Sequence, residues 1–410
     1  MNNPRFDIVL FGATSFVGKI LCRYLVEIGA QSGELHWAAA GRSAGKLKSL
    51  KESLGPGARD LSLIVADAHD AVALIELCKQ AHLVLSTVGP YELYGDTLVQ
   101  VCAETGTDYC DLTGEVRWMR RMIDSHQDAA QRSGARIVHA CGFDCVPSDM
   151  GVWFLQQQSM RLHGEYCNRI EMRLMAASGA FSGGTVATML NEAAALERDP
   201  QLFRPLRNPY FLCPEGYRNE TRQRRITAAE YDAEIGKWIM PNVMATVEEP
   251  VVFRSHALAG NPYGEAFLYN EAVAAGRGRK GQLKARGMTG LGKLFFLGLS
   301  KTGTRRILQR WVLPAPGEGP DEQARERGFY VIAFSGHTAS GKKVQARVTG
   351  DRDPGYGSTA KILAQCGISL LRDVPANHPG GFWTTATIFD ARLLDGLREW
   401  AVVSFDLIAD

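Results

Sequence analysis

Short apolar runs alternate with helix-spaced apolar residues over the first third of the chain. The runs predict six strands, at 7–11, 35–40, 61–67, 82–88, 107–112 and 135–141. Between them, apolar side chains recur at helical spacing over 16–29, and further helices are predicted around 70–80 and over 95–105. Strands that alternate with helices at this pitch predict a parallel sheet with helices on both faces. Ligands of such sheets bind beyond the carboxyl ends of the strands.

From about residue 152 this alternation stops, and the pattern is typical of an α+β domain. Strands are predicted at 168–178, 251–260, 265–274, 327–339, 342–351 and 402–408, and helices at 186–197, 361–372 and 380–400. We therefore expect an α/β protein: an N-terminal Rossmann-type parallel sheet over 1–150, and a second α+β domain over 151–372 that contains a largely antiparallel sheet. Residues 373–410 are expected to return to the first domain as a helix and a strand.

Composition adds few constraints. The 410 residues are 45% hydrophobic and 22% charged, and the net charge of +2 points to no partner. Nine scattered cysteines fit free thiols in a reducing compartment. The chain shows neither a secretory signal pattern nor eighteen consecutive apolar residues, so a cytoplasmic location is expected. Cys141 and Cys145 lack a second ligand pair at matching spacing, and no metal site is predicted.

The stretch DIVLFGATSFVG, residues 7–18, joins the first predicted strand to the first helix. Gly12 allows the tight turn, and Gly18 lets the helix pack close to the sheet. The amides that follow the turn face a pyrophosphate at the positive end of the helix dipole. In this context the pattern predicts a dinucleotide site. Its predicted contacts are Gly12, Ala13, Thr14, Ser15, Phe16, Val17 and Gly18, with Ser15 at the position of a middle glycine.

The end of the second strand selects the cofactor. An NAD site usually has a carboxylate there, which binds the ribose hydroxyls. This chain instead has Arg42, Ser43 and Lys46, which are placed to meet a 2′-phosphate, so NADP(H) is predicted. The alternative is a solvated arginine that merely ends the strand.

Later strand ends supply the remaining predicted contacts. Asp67 and Ala68 are expected at the adenine, with a helix N-cap as the alternative role for Asp67. A small backbone suited to a ribose or nicotinamide follows the fourth strand, and acidic and small residues at 111–115 and 141–149 are expected to point into the same crevice. The predicted cofactor contacts here are Thr87, Val88, Gly89, Pro90, Cys141 and Gly142.

Residues 277–310 hold ten Lys or Arg and no Asp or Glu. The rest of the chain therefore has a net charge of about −8, since the whole chain has +2 and this segment contributes +10. Apolar residues are interleaved, which predicts a basic amphipathic segment. Three interpretations stay open: peripheral contact with an anionic surface at the inner face of a membrane; a basic loop over a hydrophobic pocket; and docking of an acidic acyl carrier domain. Nucleic acid is not expected, because no fold that reads it surrounds the segment.

Several motifs resemble the saccharopine dehydrogenase-like oxidoreductases. Residues 89–115 and 141–151 resemble that family's segments, whereas SGGTVAT (182–188), PGEGPDEQARERG (316–328), GDRDPGYGSTAKIL (350–363) and GGFWTTA (380–386) fit its trans-acting enoyl reductase branch. This resemblance implies NADP(H)-dependent reduction of a carbon–carbon double bond on a fatty-acyl, polyketide or lipid chain that a separate synthase makes. Such a chain can be presented on a carrier.

We select candidate proton donors for this reduction by their position in the sequence. Tyr91, Tyr94 and Asp144 are the candidates, since each follows a strand end beside the predicted nicotinamide.

Two other functions remain open, imine reduction of the saccharopine type in amino-acid metabolism and a lipid-associated nucleotide-binding protein without turnover. A short-chain reductase in which 277–310 form a lid is a third. A homodimer through the second domain's sheet is a further hypothesis.

Overall fold

The computed structural model describes residues 4–32, 35–179, 183–202, 206–311 and 319–408. Ser182 and residues 316–318, which belong to two of the motifs above, lie outside these ranges. The chain divides into two compact units. The first runs through Phe143 and takes in Gly355–Val402. The second begins at Asp144 and takes in Pro320–Pro354 and the strand from Val403.

The described strands are β1 Phe6–Phe11, β2 Trp37–Gly41, β3 Ser62–Val65, β4 Ala81–Ser86, β5 Asp108–Asp111, β6 Arg136–Val138, β7 Cys167–Ser178, β8 Glu230–Asp232, β9 Lys237–Pro241, β10 Leu268–Gly276, β11 Phe329–Thr338, β12 Lys343–Gly350, β13 Gly381–Trp383 and β14 Val403–Leu407. The described α-helices are α1 Phe16–Ser32, α2 Ala44–Ser53, α3 Ala71–Cys78, α4 Tyr91–Tyr94, α5 Asp96–Thr105, α6 Val116–Ser133, α7 Val146–His163, α8 Gly183–Arg198, α9 Ala245–Leu258, α10 Gly278–Leu299, α11 Thr302–Trp311, α12 Glu322–Glu326, α13 Thr359–Arg372, α14 Thr385–Ile388 and α15 Ala391–Gly396.

The first unit contains a seven-stranded sheet in the order β13-β6-β5-β4-β1-β2-β3. Every neighbouring pair is parallel, as the alternating pattern predicted. The central strands are apolar throughout because helices cover both faces: Leu10 and Val84 are fully buried. The order reverses between β1 and β4, which is where a doubly wound sheet opens a crevice for its ligand.

The second unit contains a seven-stranded sheet in the order β14-β12-β11-β7-β10-β9-β8. Only the β7–β10 pair is parallel, so the sheet is largely antiparallel. Burial alternates along its strands: Val344 and Val348 of β12 are buried, whereas Lys343 and Arg347 are exposed. One face therefore packs against helix α7, and the predicted fold class is confirmed.

The strand predicted at 251–260 is wrong, because these residues lie in helix α9. The run of Val251, Val252 and Phe253 has the composition of a strand. However, α9 is buried around almost its whole circumference, including Glu249 and Arg254, so it shows no helical periodicity in the sequence.

The helix predicted at 380–400 is also wrong over its first part. Gly381–Trp383 form β13, which pairs in parallel with β6, and two short helices and a π-helical turn at Leu397–Ala401 follow. The boundaries differ as well from those expected at 150 and 372. The first unit already resumes at Gly355, because α13 packs on α1 and β4, while β14 pairs with β12 in the second unit's sheet.

Candidate dinucleotide site

The turn between β1 and α1 has the geometry that the glycine pattern predicted. Gly12 has a φ of +88°, and a Cβ on it would lie 2.6 Å from a Val88 methyl group. A Cβ on Gly18 would lie 2.2 Å from the Gly12 carbonyl oxygen, so the helix start packs directly on the loop. Glycine is needed at both positions, the first for its conformation and the second for its lack of a side chain.

Two loop amides stay available to a ligand. The Gly12 and Ala13 amides donate to the Ala40 carbonyl, at 3.0 and 3.1 Å. The Thr14 and Val17 amides, in contrast, donate to no acceptor in the described part of the chain. They lie at the amino-terminal end of α1, where the helix dipole favours an anion. The predicted Phe16 begins this helix, and its ring packs edge-on against Tyr356 at 4.6 Å.

Ser15 ties this loop to the end of β4. The Gly18 amide donates to the Ser15 hydroxyl at 2.9 Å, and that hydroxyl lies 3.0 Å from the Thr87 hydroxyl. Thr87 in turn donates to the Gly12 carbonyl at 3.0 Å, which closes the series. The serine that stands in place of a glycine therefore stabilises the loop rather than obstructing it.

The residues after β2 leave two cations without partners. Arg42 and Lys46 are exposed, and neither side chain forms an ion pair with any described residue. Ser43 caps α2, its hydroxyl accepting from the Lys46 amide at 3.4 Å. Residues 41–46, at the end of β2 and just after it, include no carboxylate that would repel a 2′-phosphate. The arrangement suits a phosphate, which a guanidinium binds through two parallel hydrogen bonds.

The predicted adenine contacts follow β3. Asp67 is exposed, and its carboxylate accepts from the His69 amide at 2.9 Å, while Ala68 is buried. The N-cap of α3 is Asp70, whose carboxylate accepts from the Ala73 amide. The alternative role of Asp67 as a helix cap is therefore wrong.

Several curated proteins resemble this chain over nearly its whole length. The family model described as saccharopine dehydrogenase NADP binding domain matches residues 8–138. The trans-acting enoyl reductase of Mycobacterium bovis is 36% identical over 404 residues, which is 95% of this chain and 94% of that protein. That of Mycobacterium leprae is 35% identical over 415 residues and 97% of each. The chain belongs to the trans-acting enoyl reductase family.

A solved structure supports the fold of this family member independently. The apo saccharopine dehydrogenase (L-Glu forming) of Saccharomyces cerevisiae matches 98% of this chain and all of that one, with a TM-score of 0.54 at 10% identity. At this identity the similarity concerns the fold alone. The family model indicates that the first unit binds NADP(H). The local geometry fits that cofactor, since Gly12 and Gly18 open the loop and Arg42 and Lys46 are unpaired.

In this trans-acting enoyl reductase family member, the segment after β4 is held by a buried carboxylate. Glu115 accepts from the amides of Tyr91 and Glu92, both at 2.8 Å, at the start of α4. Asp111 is fully buried and bonds the His139 ring at 2.7 Å and the Ala140 amide. Both carboxylates were expected to point into the crevice. Instead, each forms hydrogen bonds with neighbouring parts of the first unit, and the sequence offered no signal for these partners.

The two candidate tyrosines differ in what their hydroxyls do. Tyr91 donates to the Ser86 carbonyl at 2.9 Å and accepts from the Leu112 amide at 3.1 Å. Burial, reinforced by the nearby Asp111 carboxylate, raises the pKa of Tyr91 well above its ordinary value. Tyr94 is half-buried, and its hydroxyl forms no hydrogen bond within the described ranges. Its ring lies 5.6 Å from that of His69.

Asp144 is the first residue of the second unit. Its carboxyl forms no hydrogen bond with a described residue, and burial raises its pKa to about 6. The group is therefore partly protonated near neutral pH, which suits a general acid. Nearby stands an acid pair that the sequence analysis missed: one Asn242 amide group donates to both Glu248 and Glu271, at 2.9 Å each.

The end of β6 is anchored by backbone contacts. The Cys141 amide donates to the Asp111 carbonyl at 2.7 Å, and a Cβ on Gly142 would lie 2.8 Å from a Leu112 methyl group. Burial raises the pKa of the Cys141 thiol well above its ordinary value, so this cysteine is not a reactive thiolate. All nine cysteines are free and buried, and the described residues contain no group of three potential metal ligands.

Proposed function

We propose that this protein uses NADPH to reduce a carbon–carbon double bond of a fatty-acyl or polyketide chain, with the chain delivered from a separate synthase. The observation that carries the proposal is the glycine loop between β1 and α1, whose free amides can bind a phosphate, together with the unpaired side chains of Arg42 and Lys46 after β2. The relatives of this chain are named trans-acting enoyl reductases, which supports the reaction. When bound, NADPH supplies the hydride.

The first unit's residues would bind and orient this cofactor. Arg42, with Lys46 and Ser43, would hold the 2′-phosphate, and the Thr14 and Val17 amides the diphosphate. Asp67 and Ala68 would meet the adenine. Val88–Pro90, which are exposed or half-buried, and Cys141 and Gly142, which are buried, would lie along the nicotinamide ribose.

Asp144 is the proposed proton donor. Hydride addition to a conjugated double bond leaves a carbanion-like centre, which a proton must quench. Asp144 combines a raised pKa with a carboxyl that no described group occupies. Tyr94 has a free hydroxyl and is the second candidate. Tyr91 is a positioning residue, because its hydroxyl bonds two backbone groups.

The experiment follows NADPH oxidation with an enoyl thioester, saccharopine and a small ketone. We expect turnover with the thioester alone, and a rate that falls as pH rises through about 6, since Asp144 must be protonated to act. Asp144→Asn should lower kcat by roughly 100-fold or more. It should leave NADPH affinity unchanged.

Two variants and a control complete the design. Loss of turnover in Tyr94→Phe with Asp144→Asn still active would move the proton donor to Tyr94. Asp128→Asn, at an exposed position on α6, is the matched carboxylate control. Oxidation with saccharopine or the ketone but not the thioester would overturn the proposed substrate class.

The proposal extends to how the protein meets its partners. A homodimer is supported by β14, a sheet edge whose outer hydrogen-bonding groups face no further strand among the described residues. Light scattering of the purified protein tests it, and a monomer at all concentrations would contradict it.

Residues 277–310 support a peripheral contact with an anionic surface, since they hold ten basic residues and no acidic one. Among the described helices, none has the length and hydrophobicity of a membrane span.

A further inference from the structure

Helices α10 and α11, which span most of the basic segment 277–310, expose apolar side chains to solvent. Seven of the sixteen large hydrophobic residues that are exposed across the described ranges lie on these two helices. They are Leu283, Met288, Leu291, Leu294, Phe296, Leu297 and Ile307. The other nine are scattered over the rest of the chain, where single exposed apolar residues are normal. Such a cluster marks an interaction surface.

Leu283 and Leu294 form an apolar ridge on the outer side of α10, whereas Met288 and Phe296 lie toward the side of its buried residues. The helix packs on β9 and β10, and its buried residues Gly281, Ala285 and Leu299 recur at helical spacing. At 100° per residue, Leu283 and Leu294 project from the side opposite to Gly281. They are 72% and 67% exposed. The helix is about 33 Å long at 1.5 Å per residue.

Basic side chains border this ridge on both sides. By the same helical spacing, Lys280 and Lys284 flank it on one side, and Arg279 and Lys293 on the other. All four are exposed and form no ion pair with a described residue. On α11, Arg305 pairs with Glu197 of α8 at 2.7 Å, which fastens that helix to its neighbour.

We propose that the outer side of α10 and α11, which we call the basic apolar face, docks on an anionic lipid surface. Lys and Arg would meet the headgroups while Leu283, Leu294 and Leu297 enter the acyl boundary. A lipid surface is favoured as the partner because exposed leucines bordered by unpaired Lys and Arg along one helix are the pattern by which a helix lies in a membrane interface. Charge complementarity requires that this partner be anionic.

This inference deepens the peripheral contact proposed above, and it rests on that proposal only for the existence of a contact. It needs neither cofactor nor turnover. Failure of lipid binding would therefore leave the reductase proposal intact, and failure of NADPH oxidation would leave the docking surface intact.

The test is flotation of the full chain with vesicles of phosphatidylcholine alone or with 30% phosphatidylglycerol, at low and at physiological salt. We expect binding to the anionic vesicles at least 10-fold tighter than to the neutral ones, and weaker binding as salt rises. Leu291→Ser/Leu294→Ser/Leu297→Ser should lower anionic binding by 10-fold or more. Lys280→Gln/Lys284→Gln/Lys293→Gln should abolish the preference for anionic lipid.

Val72→Ser/Leu162→Ser removes two exposed apolar residues outside this face and is the matched control. It should bind vesicles like the unaltered protein. Circular dichroism and thermal unfolding show that each variant is folded. Absence of vesicle binding at low salt, equal binding to both vesicle types, or binding that the leucine variant retains would each overturn the proposal. Capture of an acidic carrier protein without any binding to vesicles would overturn it in favour of a protein partner.

Discussion

The Thr87 hydroxyl lies 3.0 Å from the Gly12 carbonyl oxygen and joins the end of β4 to the glycine turn after β1. Thr87 also meets Ser15, whose hydroxyl accepts from the Gly18 amide. Two hydroxyls thus set the shape of the loop from which the Thr14 amide projects. The proposed phosphate site therefore depends on a side chain that would itself touch no phosphate.

Thr87→Val keeps the shape of this side chain and removes its hydroxyl. We expect a loss of about 1 kcal/mol in the free energy of unfolding. NADPH affinity should fall by roughly 10-fold, because a looser loop must be ordered on binding. Calorimetric titration and urea unfolding measure the two effects.

Thr107→Val is the control for this change, because Thr107 is also buried and donates to the Cys78 carbonyl at 3.2 Å, at the amino end of β5. It should lose similar stability without losing NADPH affinity. Equal losses of affinity in the two variants would show that the effect is general destabilisation.

Gly18 and Gly29 lie on the same helix but differ in their surroundings. A Cβ at Gly18 would lie 2.2 Å from the Gly12 carbonyl oxygen, whereas at Gly29 nothing lies within 4 Å. Gly18→Ala should therefore displace the helix start, lower stability by about 2 kcal/mol and weaken NADPH binding more than 10-fold. Gly29→Ala should leave binding unchanged and add up to about 1 kcal/mol through helix propensity. Thermal unfolding and titration of both variants check this, and tight NADPH binding by Gly18→Ala would contradict it.

Arg42 should determine the preference for NADPH over NADH. The unaltered protein should bind NADPH at least 10-fold more tightly, since a guanidinium and an ammonium meet the additional phosphate. Arg42→Ala should lose most of this preference while its NADH affinity stays the same. Arg59→Ala, at an exposed arginine without an ion pair to a described residue, is the control. Equal affinities for the two cofactors, in the unaltered protein and in Arg42→Ala alike, would defeat the assignment.

The sequence predicted strands β1 to β6 within a few residues because each is an apolar run that ends in polar or glycine residues. It did not predict β13, since three residues beside Gly380 carry no pattern, and β6 lies more than 240 residues away in the chain. Helix α9 was not predicted because it is buried on almost every side. Such a helix has no polar face, so its sequence lacks the alternation of polar and apolar residues by which a helix is recognised.

The candidate site was predictable where its chemistry is local. The glycine loop and Arg42 follow from spacing within one βα unit and the next. The hydrogen bond between Ser15 and Thr87 joins residues 72 positions apart, so it required coordinates. The same holds for Glu115, which was expected to face the crevice but bonds the amides of α4.

His256 should make the second unit sensitive to acid. It is 1% exposed, its Nε2 lies 3.1 Å from the Gly264 carbonyl, and its Nδ1 has no partner in the described part of the chain. Burial lowers its pKa to about 4 from an ordinary value of 6.5. The unfolded chain therefore binds the proton more readily, so stability contributed above pH 6.5 is lost as pH falls toward 4. The loss from this residue is about 3 kcal/mol at most.

His256→Gln keeps a donor for the Gly264 carbonyl but cannot titrate. Chemical unfolding of both proteins between pH 4 and 7 isolates the contribution of the imidazole, because the carboxylates common to both cancel in the difference. We expect the variant to be less stable at pH 7, where the native ring stacks on Tyr263 at 5.0 Å, and the gap to shrink as pH falls. A constant difference across this range would contradict the prediction, because it would show that folding leaves the pKa of His256 unchanged.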